Sequence, residues 1–76
     1  MVFEKLANLI AEHFSVDAED ITMDTHFIND LNADSIDVVD LMLEVEDEFD
    51  LGEIEEDVLE NVRTVGDVVN YISDRL

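Results

Sequence analysis

Ser35 is the residue whose position most suggests chemistry, because in the segment LNADSIDVVD it directly follows Asp34 and precedes Asp37. A catalytic serine needs a base within hydrogen-bond reach and an oxyanion hole. The chain has two imidazoles, His13 and His26, and each lies at the edge of an apolar stretch, where a boundary residue is expected. No GxSxG motif surrounds the serine. The pattern therefore does not favour a hydrolase.

Two other roles for Ser35 remain. Serine is common in the first turn of a helix, so the Asp-Ser pair can be purely structural. Alternatively, the hydroxyl is the attachment point of a phosphate ester, which would meet unpaired N–H groups and the positive end of the helix dipole. Neighbouring acids such as Asp34 could then hold a divalent metal for the modifying enzyme. Such a serine needs no base of its own.

Charge restricts the partners of the chain. Twenty-two Asp and Glu are set against only Lys5, Arg63 and Arg75, which gives a formal net charge of −19 over 76 residues. This balance disfavours nucleic acid and anionic membranes, favours a basic protein surface, and predicts a monomer at low salt. A hydrophobic content of 47%, spread at regular spacing, argues against a disordered acidic tail.

The composition also predicts one soluble, cytoplasmic domain over residues 1–76. The chain has no cysteine and no zinc-ligand pattern, so packing alone must hold it. Its apolar runs do not exceed three residues, and MVFEKLANLI lacks a basic segment followed by an apolar one. We therefore expect neither membrane insertion nor a signal peptide.

Helical periodicity accounts for most of the chain. Helix one is expected over residues 2–14, and a long loop follows over residues 15–32. The apolar residues at helical spacing in helix one are Phe3, Leu6, Ala7, Ile10 and Phe14. The loop anchors expected from their apolar character are Val16, Ile21, Phe27, Ile28 and Leu31.

Helix two is expected from Ser35 to about Asp50, shortly before Gly52, with Asp34 and Asp37 forming a capping box. A short helix three is expected over residues 55–61. Thr64 is expected to cap helix four, with Asp67 returning the interaction. The apolar face of this helix comprises Val65, Val68, Val69, Ile72 and Leu76. The predicted fold is all-α: a small four-helix bundle of three main helices and one short helix.

Helix two carries two apolar stripes. The first, which is sufficient to face the core, comprises Val38, Leu41, Met42, Val45 and Phe49. The second comprises Ile36, Val39 and Leu43 and is flanked by acids; we call it the second stripe. An exposed aliphatic stripe with a charged rim is typical of a docking site, although helix three and the loop could instead cover it. With no basic residue between Ile36 and Val62, a partner with Arg or Lys would be steered to this face.

The segment LNADSIDVVDLMLEVEDEFD resembles the modification-site helix of acyl carrier proteins, and FINDL, TVGDVVNYI, the length and the acidity agree. The resemblance implies that Ser35 carries a 4′-phosphopantetheine arm holding acyl thioesters. It further implies that Asp34 helps present the serine to a phosphopantetheinyl transferase and its magnesium. The implied partner-docking residues are Ile36, Asp37, Val39, Asp40, Leu43, Glu46 and Asp47. The implied acyl-pocket residues are Phe27, Ile28, Val45, Ile54, Leu59, Val62 and Val68.

Metal binding is expected to be weak and nonspecific. Two acidic trios, Asp30/Asp34/Asp37 and Glu46/Asp50/Glu53, lie at the two ends of helix two, but neither has the ligand order of an EF-hand. They predict stabilisation of the fold at millimolar magnesium or calcium.

The functional expectation is a carrier with no catalytic site of its own, which delivers fatty acyl chains to the enzymes of type II fatty acid synthesis. The resemblance also allows a specialised carrier of polyketide, aminoacyl or D-alanyl groups. From a different class, an unmodified acidic helical interaction protein would use the carboxylates of helix two without Ser35.

Overall fold

The computed structural model describes residues 2–75. These residues form four α-helices: α1 (Val2–Phe14), α2 (Ser35–Phe49), α3 (Glu56–Asn61) and α4 (Val65–Arg75). The predicted all-α fold with one short helix is confirmed. The long loop contains one turn of 3₁₀ helix, Ala18–Asp20, that the sequence pattern did not indicate. No helix within residues 2–75 is long and apolar enough to cross a membrane.

The core is built from the apolar faces of α1, α2 and α4. The predicted face of α1 is fully buried at Leu6 and Ile10, while Phe3 and Phe14 at its ends are half-buried. The remaining fully buried helix residues are Leu41, Met42, Val45, Val65, Val68 and Ile72. Leu76, which was predicted on the face of α4, lies outside the described residues. Close packing of these side chains holds the bundle without a disulfide.

The two ends of α2 are fixed by different means. Asp34 caps the first turn and Asp37 returns the interaction, so the predicted capping box is confirmed. At the other end, Asp50 adopts the left-handed conformation (φ 53°, ψ 51°) and its N–H donates to the Glu46 carbonyl. Helix two was expected to end at about Asp50, which agrees with this position; Gly52, two residues further on, also has a positive φ. Aspartate tolerates the left-handed region better than most residues do, so it can end the helix there.

The long loop packs on the core through fewer anchors than predicted. Ile21 and Phe27 are buried, as expected, and Leu31 is half-buried. The prediction was wrong for Val16 and Ile28, which are exposed. Because Phe27 takes the buried position of its turn, the adjacent Ile28 is left on the surface with 52% of its area accessible.

Backbone hydrogen bonds tie this loop to the start of α4. The N–H of Phe27 donates to the Arg63 carbonyl (3.0 Å), that of Val65 to Thr25 (2.9 Å) and that of Gly66 to Met23 (2.8 Å). A Cβ on Gly66 would lie 2.9 Å from the Met23 carbonyl oxygen, so only glycine permits this approach. These bonds place residues 23–27 and 63–66 side by side.

Candidate functional site

Ser35 is exposed at the first position of α2. Asp34 Oδ1 accepts a hydrogen bond from the Asp37 N–H (2.9 Å), and the Asp34 N–H donates to Asp37 Oδ2 (3.2 Å). The N–H groups of the first helical turn have no intrahelical partner, so the serine hydroxyl lies at the positive end of the helix. The capping box therefore holds Ser35 at a defined point without burying it.

Both imidazoles are engaged away from Ser35. His13 Nδ1 lies 3.2 Å from Glu44 Oε2, and His26 Nδ1 accepts a hydrogen bond from the Asn29 N–H (3.3 Å). His13 thus contacts α2 and His26 contacts its own loop, and neither of these contacts involves Ser35. This arrangement agrees with the sequence argument against a serine hydrolase.

A cleft of about 570 Å³ opens beside Ser35, between α2 and α3. This volume falls within the roughly 300–1,000 Å³ typical of small-molecule sites. The residues lining the cleft are Ile28, Ser35, Val38, Val39, Glu56, Leu59, Glu60, Val62 and Arg63. The walls are mainly aliphatic, so the cleft suits an apolar group that is tethered at the serine.

The residues predicted for the acyl pocket divide into two groups. Ile28, Leu59 and Val62 line the cleft. The other four, Phe27, Val45, Ile54 and Val68, do not line it, because they are packed into the core. A chain in the cleft would reach them only if the core opened.

Sequence reasoning missed several residues of the cleft wall. Glu56, Glu60 and Arg63 were not predicted there, although each is close in sequence to a predicted pocket residue. Val38 and Val39 had been assigned to the core stripe and to the second stripe of α2, and the structure shows that both also reach the cleft. The signal in the sequence that could have identified the charged residues was their position within three residues of Leu59 or Val62.

The second stripe of α2 is exposed. Ile36 and Leu43 leave 69% and 53% of their areas accessible, whereas Val39, at 37%, is partly covered where it lines the cleft. Among the four acids predicted for docking, Asp40 and Asp47 are exposed. Asp37 and Glu46 are half-buried.

These two half-buried acids have structural partners. Asp37 takes part in the capping box, and Glu46 Oε2 accepts a hydrogen bond from the Ile54 N–H (3.3 Å). Asp40 and Asp47 are therefore better placed than Asp37 and Glu46 to meet a partner.

The two predicted acidic trios do not converge on a metal site. Within residues 2–75 there is no group of three or more His, Cys, Asp or Glu side chains that could hold a metal ion. Weak, nonspecific metal binding, which needs no such group, stays a prediction for Asp30, Asp34 and Asp37 at one end of α2 and for Glu46, Asp50 and Glu53 at the other.

The trios do not converge on a metal site because these carboxylates serve the backbone or face solvent. At the start of α2, Asp30 Oδ2 accepts a hydrogen bond from the His26 N–H (2.7 Å), while the other two acids of that trio form the capping box. At the other end, Glu46 binds the Ile54 N–H, Asp50 ends the helix in the left-handed conformation, and Glu53 is exposed in the link between α2 and α3. Stabilisation of the fold by millimolar divalent metal stays a prediction.

Asp67 fixes the backbone at the cleft's edge. Its Oδ2 accepts hydrogen bonds from the N–H groups of Arg63 (3.0 Å) and Thr64 (3.1 Å), while Thr64 Oγ1 accepts from the Asp67 N–H (3.3 Å). Partial burial acts to raise the pKa of Asp67, but these hydrogen bonds and the Arg63 charge outweigh it and hold the pKa below its ordinary value. The predicted cap of α4 is confirmed by these bonds.

Comparison with known proteins agrees with this geometry. Residues 4–72 match a family model described as the phosphopantetheine attachment site. The acyl carrier protein of Lactobacillus acidophilus is 52% identical over 71 residues, covering 93% of this chain and 88% of that protein. That of Clostridium acetobutylicum is 50% identical over 72 residues, covering 95% and 92%.

A solved structure leads to the same family. The structure of the acyl carrier protein from Enterococcus faecalis superimposes with a TM-score of 0.82 at 41% identity, over 99% of this chain and 94% of that one. The fold, the family model and the close relatives agree over nearly the whole chain. The chain therefore belongs to the acyl carrier protein family and contains the phosphopantetheine attachment domain of that family.

Proposed function

We propose that this chain is a carrier of type II fatty acid synthesis and that its 4′-phosphopantetheine arm is attached to Ser35. The observation that carries the proposal is the exposed hydroxyl at the start of α2, beside an apolar cleft of about 570 Å³. The bound arm supplies the thiol that holds acyl groups as thioesters. The chain itself, over residues 1–76, acts as one carrier domain with no catalytic site.

Ser35 needs only accessibility for its own part in loading. Its Oγ forms a bond to phosphorus, the pyrophosphate P–O bond of coenzyme A breaks, and 3′,5′-adenosine bisphosphate leaves. The hydroxyl proton passes to a base of the transferase, so no imidazole of this chain is required. Asp34 is next to the serine and is exposed, which allows its second carboxylate oxygen to contact the transferase-bound magnesium.

The second stripe of α2 is the proposed docking face for partner enzymes. Its aliphatic residues lie beside Asp40 and Asp47, which can pair with Arg or Lys on a partner. Such charge pairs would raise the association rate and make docking salt-sensitive. We propose that the phosphopantetheinyl transferase and the fatty acid synthesis enzymes share this face, and that the carrier acts as a monomer in the cytoplasm.

The cleft is the proposed resting place of the acyl chain. Ile28, Leu59 and Val62 offer aliphatic contacts next to the attachment point. Phe27, Val45, Ile54 and Val68 lie deeper in the fold. A longer chain would reach them only by parting the core, since a domain of this size leaves little empty space.

Intact-protein mass spectrometry tests the attachment. The protein is incubated with coenzyme A, magnesium and a broad-specificity phosphopantetheinyl transferase, with Ser35→Ala as the matched control. We expect one phosphopantetheinyl mass on the wild type and none on the variant. No gain in either protein would overturn the proposal and favour an unmodified acidic interaction protein.

Acylation of the loaded protein tests the pathway. The loaded carrier is offered fatty acyl and aminoacyl donors with their cognate loading enzymes. Transfer of fatty acyl groups alone supports fatty acid synthesis. Transfer of aminoacyl or D-alanyl groups alone would replace it with a specialised carrier.

A further inference from the structure

We propose that Arg63 is a positioning residue for the attached arm, and that its guanidinium pairs with the phosphodiester on Ser35. The inference rests on the proposed function, because it requires the arm to be attached there. In this role Arg63 holds the phosphodiester end of the arm, which we call the root of the arm, against the α3 side of the cleft.

The placement of Arg63 supports this role. Arg63 and Ser35 line the same cleft. The Arg63 carbonyl accepts a hydrogen bond from the Phe27 N–H (3.0 Å), and the Phe27 carbonyl accepts one from Ala33 (3.0 Å), two residues before Ser35. The Arg63 N–H is held in turn by Asp67 Oδ2 (3.0 Å). The backbone of Arg63 is thus anchored both to the loop that leads into Ser35 and to the cap of α4.

The distribution of positive charge singles out Arg63. Lys5 Nζ lies 3.5 Å from Glu48 Oε1 and over the Phe49 ring, and Arg75 lies over the Tyr71 ring. Of the Lys and Arg side chains within residues 2–75, Arg63 is the one that lines the cleft.

Attachment of the arm makes a cation at this point favourable. Glu56 and Glu60 already line the cleft, and a phosphodiester adds a further negative charge to a chain with a net charge of −19. Before loading, Arg63 can offset these two exposed glutamates. After loading, its five donors allow it to contact the phosphate as well, with the bidentate geometry that guanidinium and phosphate share.

The phosphate is a better partner than the far end of the arm. It is bonded directly to Ser35 Oγ, so its distance from the cleft wall is restricted, whereas the thiol end is free to move. Pairing with Arg63 directs the root of the arm toward α3. Ile36 and Leu43 of the second stripe then stay open for a partner while the arm is retracted, whereas Val39 lines the cleft.

Thermal melting before and after loading tests the pairing. The wild type, Arg63→Gln and Arg75→Gln are each melted in the unloaded and loaded forms at low salt. Arg75→Gln is the matched control for Arg63→Gln, because it removes the same charge at a position away from the cleft. We expect loading to lower the Tm of Arg63→Gln by about 2–4 °C more than that of the wild type or Arg75→Gln, as for one partly exposed ion pair. The difference should vanish near 1 M NaCl, where the Debye length is about 3 Å.

A spectroscopic readout separates direct pairing from a change in stability. Loading should shift the Arg63 Nε–H resonance of the wild type, and Arg63→Gln, but not Arg75→Gln, should shift the ³¹P resonance of the arm. Arg63→Lys should keep part of the Tm effect, because it retains the charge without the planar fork.

The failure of this inference is distinguishable from failure of the proposed function. Mass spectrometry first establishes loading, and its absence would overturn the attachment itself. A loaded Arg63→Gln with the wild-type change in Tm and an unmoved ³¹P resonance would overturn the role of Arg63 alone.

Discussion

Replacing Asp34 by alanine and by asparagine separates its two expected roles, in capping α2 and in loading Ser35. Asp34 Oδ1 accepts the Asp37 N–H at 2.9 Å. Alanine removes this acceptor, whereas asparagine keeps a carbonyl oxygen in its place and loses only the charge. Both variants reduce the net negative charge equally, so the change in self-repulsion cancels between them.

The expected difference follows from the cap. Loss of an N-cap acceptor costs typically about 1 kcal/mol. For a domain of this size, that corresponds to a fall in Tm of about 4–8 °C. Asp34→Ala should therefore melt about 4–8 °C below Asp34→Asn. Both should load the arm more slowly than the wild type, because neither retains the carboxylate that we assign to the transferase-bound magnesium.

Melting curves and timed mass spectra on the same samples decide between the roles. Equal melting temperatures for Asp34→Ala and Asp34→Asn would refute the energetic argument for the capping box. Loading of Asp34→Asn at the wild-type rate would refute the carboxylate's part in loading, and the cap would remain.

Two further predictions concern the contacts that hold the cleft wall. Gly66→Ala should lower the free energy of unfolding measured by calorimetry by about 1 kcal/mol, because overpacking against the Met23 carbonyl outweighs the gain in helix propensity. A higher Tm than that of the wild type would contradict this reasoning. Asn70→Ala, at an exposed position of the same helix, is the control. Wild type should be more stable than Asp67→Asn in urea titrations at pH 7. The lowered pKa of Asp67 means that this advantage is present above the ordinary value of 3.8 and disappears as the pH falls through the folded-state value. An advantage that does not shrink as the pH is lowered below 3.8 would refute the assignment.

Local patterns predicted the elements of this fold well. The apolar face of α1 and the caps at Asp34 and Thr64 depend on residues three or four positions apart, and such spacing is visible in the sequence. The second stripe of α2 was found in the same way: once Val38 and Leu41 had been assigned to the core, Ile36 on another face could not share their burial.

Contacts between distant segments could not be predicted in this way. The hydrogen bonds of Phe27 with Arg63 and of Gly66 with Met23 join the long loop to the start of α4, and no local pattern in the sequence relates these two segments. The exposure of Ile28 and the presence of Arg63 in the cleft wall both follow from that pairing.

The separation of the two stripes of α2 has a consequence for how such a chain changes over generations. Val38, Leu41, Met42 and Val45 carry the packing, while Ile36 and Leu43 face solvent. Substitution of an exposed residue usually alters stability by less than about 0.5 kcal/mol. Mutations on the outer face can therefore accumulate and be selected for partner preference without threatening the fold, so one scaffold can diverge to serve different sets of enzymes.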